Sequence, residues 1–123
     1  MAESSRHILM IDDDITSLDI VSFLFEEKGY VVDRCADGAS AIEYMKLTVP
    51  NLVLVDLMMP GIDGKETIRQ IRAMGHKTLP IIAFTAVDDP DIHAETLKLG
   101  CNEVLTKPLR PDKLLQKVEQ FLK

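Results

Sequence analysis

Five short apolar runs recur along the chain, each followed by a longer amphipathic stretch, and no other feature restricts the fold as much. The runs are ILMI at 8–11, YVV at 30–32, LVLV at 52–55, IIAF at 81–84 and VL at 104–105. ILMI, LVLV and IIAF are apolar without alternation, as suits strands covered on both faces of a parallel sheet. The intervening stretches read as helices over 15–28, 39–47 and 65–74. A fourth has Asp89 as N-cap, Pro90 at its first position and Gly100 closing it, and a fifth opens at Pro111. Ile15, Leu18, Val21, Leu24 and Phe25 share one face of the first, and Leu114, Leu115, Val118, Phe121 and Leu122 recur along the fifth.

Strand–helix alternation with right-handed crossovers gives an open α/β fold. Five such units predict a doubly wound (βα)5 domain, its five-stranded parallel sheet in the flavodoxin-like order 2-1-3-4-5. At 123 residues the chain is one domain's worth, long enough to bury a core without staples. Residues 1–6 are read as a short flexible segment and 7–123 as the domain. A net charge of −6 gives no electrostatic footprint for nucleic acid and disfavours an anionic membrane surface. No apolar run approaches the roughly 18 residues of a membrane span, and MAESSRH has no signal-peptide core. Cys35 and Cys101 have no metal-ligand spacing and read as reduced, packed thiols. The expected location is cytoplasmic.

In a doubly wound sheet, ligands bind beyond the carboxyl ends of the strands. The first strand ends in Asp12, Asp13 and Asp14, the third in Asp56, the fourth in Thr85, and the fifth in Thr106 and Lys107. Asp14 fits the N-cap of the following helix. Capping does not explain Asp12 and Asp13, and Asp56 precedes a Pro/Gly loop, LMMPGIDG, rather than a helix. Two carboxylates about 4 Å apart repel by about 1 kcal/mol in water and by about 4 at an effective dielectric of 20. A hard cation offsets such repulsion, and Mg²⁺ typically takes one or two carboxylates plus waters and a phosphate. A carboxylate beside Mg²⁺ can act as a nucleophile toward phosphorus. A lysine and a threonine hydroxyl would stabilise charge on the transferred group.

The pieces IDDD at 11–14, VDLMMPGIDG at 55–64, FTA at 84–86 and TKP at 106–108 resemble, in order, the receiver (CheY-like) domains of two-component response regulators. The resemblance spans essentially the whole chain. It implies Asp56 as phosphoacceptor, Asp12 and Asp13 as the acidic pair, and the backbone carbonyl of Met58 as the remaining Mg²⁺ ligand. Asp13 would be the direct ligand of the pair, with Asp12 acting through water. Thr85 would be the hydroxyl that turns toward the phosphoryl group, Ala86 its small neighbour, Lys107 the phosphate-pairing lysine, and Lys107–Pro108 a cis bond. It further implies a phospho-accepting signalling protein rather than a turnover enzyme. The donor would be a histidine kinase or histidine phosphotransfer domain, and a downstream effector would dock on the face of the fourth helix, fifth strand and fifth helix. The chain carries no output domain, so the signal is expected to pass to a separate protein, or the chain is a piece of a larger one.

One position departs from the family pattern. Val104 stands where receivers commonly carry Tyr or Phe, and valine has no ring to swing. The expectation is that the signal reaches the output face through backbone and loop shifts. Met58 and Val87, two residues beyond Asp56 and Thr85, are apolar and suited to slow self-dephosphorylation.

Other readings fit less well. Haloacid-dehalogenase-like phosphatases need a second aspartate two residues after the nucleophile, where this chain has Met58. A flavodoxin would need a phosphate loop after strand one, where DDDITS would repel phosphate. His7, His76 and His93 are scattered and form no triad. A receiver fold used as a docking module without phosphorylation remains the alternative.

Overall fold

The computed structural model describes residues 6–122 apart from Pro60 and Leu109. Most of the proposed flexible segment 1–6 therefore lies outside the described residues. The elements alternate as β1 (His7–Ile11), α1 (Ile15–Glu27), β2 (Val31–Cys35), α2 (Gly38–Leu47), β3 (Leu52–Asp56), α3 (Gly64–Ala73), β4 (Ile81–Thr85), α4 (Pro90–Lys98), β5 (Glu103–Thr106) and α5 (Pro111–Phe121). The five strands are parallel in the order β2-β1-β3-β4-β5, the flavodoxin-like order expected.

Alternate residues of the central strands feed two cores. Leu9, Ile11, Val53, Val55, Ile81 and Ala83 pack with Ala41 and Met45 of α2 and with Ile68 and Ile71 of α3. Ile8, Met10, Leu52, Leu54, Ile82 and Phe84 pack with Leu18, Val21 and Phe25 of α1 and with Leu114, Leu115 and Val118 of α5. Full burial of each such side chain contributes roughly 1.5–3 kcal/mol. All five residues of β3 and of β4 are buried, which is why their sequences carry no alternation.

Two local expectations need correction. Ile15, grouped with the apolar face of α1, is 66% exposed in the first turn of the helix, while Ser22 is buried. Strand β2 extends to Cys35 rather than stopping at residue 32. As an edge strand it buries only Val32 and Cys35, and Asp33 and the exposed Arg34 interrupt the apolar run without interrupting the pairing.

Four helices open on aspartate. Asp14, Asp37, Asp63 and Asp89 accept bonds from the backbone N–H of Thr16, Ser40, Glu66 and Asp91. Such caps contribute about 1 kcal/mol each. Helix α4 closes at Gly100, whose φ of +114° favours glycine and whose carbonyl accepts from Arg72 Nε (2.9 Å) and Nη2 (2.6 Å) of α3. The same guanidinium donates to the carbonyls of His76 (2.6 Å) and Leu79 (2.7 Å) and to Asn102 Oδ1 (3.1 Å).

Candidate functional site

Strands β1, β3, β4 and β5 deliver their carboxyl ends to one rim, and each places a side chain there. Asp12 follows β1, and its N–H donates to the Cys35 carbonyl of β2 (3.0 Å), carrying the parallel ladder one residue further. Its side chain is fully buried, whereas Asp13 beside it is exposed. Asp56 ends β3 and is 3% exposed. One carboxylate oxygen from each of Asp12, Asp13 and Asp56 lies within 4.8 Å of the others.

Lys107 approaches this group from the loop after β5. Its Nζ donates to Asp56 Oδ2 (3.1 Å), stands 3.7 Å from Asp12 Oδ2, and lies 5.3 Å from the centroid of the Phe84 ring. The ring face and the carboxylate together fix the ammonium. Asp56 Oδ1 accepts from Met58 N–H (3.0 Å), and Asp12 Oδ1 accepts from Asp14 N–H (3.0 Å). Asp12 Oδ2 is buried without a hydrogen-bond partner among the described residues.

Burial pushes the Asp12 carboxyl up to about 6; the Asp14 N–H and the Lys107 charge pull it back, and Asp56 pushes further. For Lys107, burial works against the charged form. The hydrogen bond it donates to Asp56 and the charges of Asp56, Asp12 and Asp14 outweigh it, holding the ammonium above its ordinary value. One ammonium faces three clustered carboxylates, so negative charge is in excess. The unpartnered Asp12 oxygen and an all-oxygen donor set fit a hard divalent cation such as Mg²⁺.

Thr85 ends β4 and is 1% exposed. Its Oγ1 accepts from Val87 N–H (3.1 Å), and its carbonyl accepts from Lys107 N–H (2.7 Å), tying the ends of β4 and β5 together. The Lys107–Pro108 bond is cis. Ser17, Ile20, Ala86, Lys107 and Pro108 line a groove of about 490 Å³ that leads from solvent to this rim. The side chains of Met58 and Val87 are exposed on either flank, and Val104 sits partly buried against the core shared by α2 and α3.

Every side chain singled out from the sequence for this site thus lies on one rim. Two contributors had not been singled out. Phe84 was quoted within IIAF and FTA without a role, since nothing there indicates that a lysine from the loop after β5 will lie over its ring. Gly64 was quoted within VDLMMPGIDG without a role. A Cβ there would stand 2.3 Å from the Asp56 carbonyl oxygen and 2.5 Å from Leu57 Cα, so only glycine lets α3 start directly against the backbone of Asp56. Its N–H donates to the Leu57 carbonyl (3.2 Å).

A buried strand-end aspartate held by a lysine and flanked by two further carboxylates, on a sheet of this order, defines a class of signalling domain. The chain belongs to the response regulator receiver domain family, matching it over residues 8–119. This is the receiver of two-component signalling, a signalling phospho-acceptor whose members typically use aspartyl phosphate and Mg²⁺. Among curated relatives, the chain is 34% identical over 115 residues to an uncharacterized 14.6 kDa protein of Leptolyngbya boryana, covering 93% of this chain and 88% of that one. It is 36% identical over 125 residues to the CAI-1 autoinducer sensor kinase/phosphatase CqsS of Vibrio cholerae, where the match takes in 98% of this chain and 18% of that protein. Among solved structures, the Vibrio cholerae chemotaxis protein CheY4 superposes with a TM-score of 0.92 at 28% identity, over 97% of this chain and all of that one. Among the described residues, no helix is long and apolar enough to cross a membrane.

Proposed function

We propose that Asp56 accepts a phosphoryl group from a partner histidine kinase or histidine phosphotransfer domain, and that the modified domain changes its affinity for a downstream protein. The observation that carries this is the Asp56 carboxylate itself. It is buried at the rim, with one oxygen on Met58 N–H, the other on Lys107 Nζ, and the unpartnered Asp12 Oδ2 beside it. The relative in Vibrio cholerae named as a sensor kinase/phosphatase supports a kinase as the source of the group.

The Asp12, Asp13 and Asp56 carboxylates and the Met58 backbone carbonyl would hold Mg²⁺. Bound there, the ion would supply positive charge against these carboxylates and against the oxygens of the incoming phosphoryl group. A carboxylate oxygen of Asp56 attacks phosphorus as the phosphorus–nitrogen bond to the donor imidazole breaks, and the departing electron pair stays on that nitrogen. The Lys107 ammonium, already between Asp56 and Asp12, pairs with a phosphoryl oxygen. The Thr85 hydroxyl has no acceptor for its proton among the described residues and supplies a second donor. The groove past Ala86 and Pro108 is the route for the donor side chain. The domain spans residues 7–123 and works in the cytoplasm, its effector meeting α4, β5 and α5.

Intact mass after incubation with acetyl phosphate tests this reading. The expected result is a Mg²⁺-dependent gain of one phosphoryl group, absent in Asp56→Asn. No gain at saturating donor and metal would leave a docking module that works without phosphorylation, the reading to which the missing ring at Val104 lends some weight.

A further inference from the structure

The four residues joining β4 to α4 carry a hydrogen-bonded path out of the site. Thr85 Oγ1 accepts from Val87 N–H at 3.1 Å, and the Val87 carbonyl is 3.3 Å from His93 Nε2. A carbonyl only accepts, so His93 in this contact carries its proton on Nε2 and donates it. Val87 is thus held on its amide side by the buried hydroxyl of the site and on its carbonyl side by the second turn of α4.

The rest of α4 is unevenly anchored. Its carboxyl end is fixed through the two Arg72 bonds to the Gly100 carbonyl. Along the helix only Thr96 is fully buried, and its hydroxyl donates within the helix to the Ile92 carbonyl (2.7 Å). One ion pair, Lys65 Nζ to Glu95 Oε2 at 3.1 Å, reaches it from α3 across exposed surface, where such a pair contributes little. The amino-terminal half is held to the core only by the partly buried Ile92, and His93 is its side-chain tie to the loop.

We propose that His93 is a positioning residue that couples Thr85 to α4, taking the part for which Val104 has no ring. This rests on the reading of Asp56 as the phosphoryl acceptor. An anionic phosphoryl oxygen is a better acceptor for the Thr85 hydroxyl than anything near it now. As the hydroxyl rotates to donate there, its oxygen leaves Val87 N–H, and the loop must find another arrangement. Through the Val87 carbonyl, His93 transmits that displacement to α4, which pivots about the Arg72–Gly100 clamp.

The test uses the full chain, isotopically labelled, with Mg²⁺ and beryllofluoride as phosphoryl mimic. Amide shifts are followed in the loop 86–88 and in α4, and intact mass after acetyl phosphate is measured on the same proteins. His93→Leu keeps bulk without a donor, and His93→Gln keeps an N–H donor. In His93→Leu, mass gain and loop shifts should match wild type while α4 shifts shrink by roughly half or more. His93→Gln should restore them. Wild-type α4 shifts in His93→Leu, or a His93→Gln as deficient as His93→Leu, would overturn the coupling. A wild-type chain that gains no mass and shows no shift anywhere would overturn the acceptor reading and the coupling with it, a pattern distinct from either.

Discussion

Asp12 Oδ2 concentrates the site's electrostatic cost in one atom. The folded carboxyl is raised from 3.8 to about 6, chiefly by burial. Between those values the folded state holds a proton that the unfolded chain has released. Stability in chelator therefore falls as pH rises through that window and stays lowered above it. Asp12→Asn keeps the acceptor for Asp14 N–H and removes the charge. In chelator, denaturant titrations should find the variant equal to wild type below about pH 4 and more stable by up to about 3 kcal/mol near pH 7.5. With millimolar Mg²⁺ the gap should narrow, because wild type, with the full set of carboxylates, gains more than the variant. An unchanged stability gap across the pH range would show that the Asp12 charge is not what costs. At this scale the sequence was legible where a general rule applies. Strand-end residues of a parallel sheet meet on one rim, so Asp12, Asp13, Asp56, Thr85 and Lys107 could be named together. No such rule tells that Asp12 turns under the rim while Asp13 faces solvent, or that His93 reaches back to its own loop.

Among the elements, those with buried faces on both sides were readable from apolar runs, while the edge strand β2 was readable only over its apolar start and α2 and α3 begin one residue before the expected 39 and 65. Gly38 and Gly64 open those helices where a helix former would be expected. They are chosen for close approach rather than propensity, a Cβ at Gly38 falling 2.3 Å from Thr67 Oγ1. Two substitutions separate what holds the elements from what serves the site. Arg72→Ala releases the Gly100, His76 and Leu79 carbonyls together and should cost about 2–3 kcal/mol in chemical denaturation. Hydrogen exchange should quicken in the last turn of α4, with the rate of phosphorylation by acetyl phosphate unchanged. Arg72→Lys should not rescue it, lacking the planar fork that reaches several carbonyls at once. Gly64→Ala should cost a comparable 1–3 kcal/mol through overpacking, and in addition slow phosphorylation, since the added Cβ displaces the backbone that carries Asp56. Equal phosphorylation rates in the two variants would remove Gly64 from any role in placing the acceptor.

Over the whole molecule, the order 2-1-3-4-5 was legible because five strand–helix units with right-handed crossovers leave few alternatives. The consequence is that the site joins strands at the centre of the sheet. Asp12 follows β1 and Asp56 ends β3, neighbours whose buried residues pair from Ile8 with Leu52 to Ile11 with Val55. A cation held by both strand ends binds only the folded chain, so it should stabilise the molecule globally, by about 2.7 kcal/mol at a hundred times its dissociation constant. Native-state hydrogen exchange can check this against a local effect. The slowest amides of β1, β3 and β4 should gain protection with Mg²⁺ equal to the gain in unfolding free energy. Amides of α4, held mainly at its Arg72 end, open without unfolding the sheet and should gain less. In Asp56→Asn both gains should shrink. If Mg²⁺ protected only the loops around Asp13 and Met58 and left the central strands unchanged, the cation would be binding at the rim without drawing on the folded sheet.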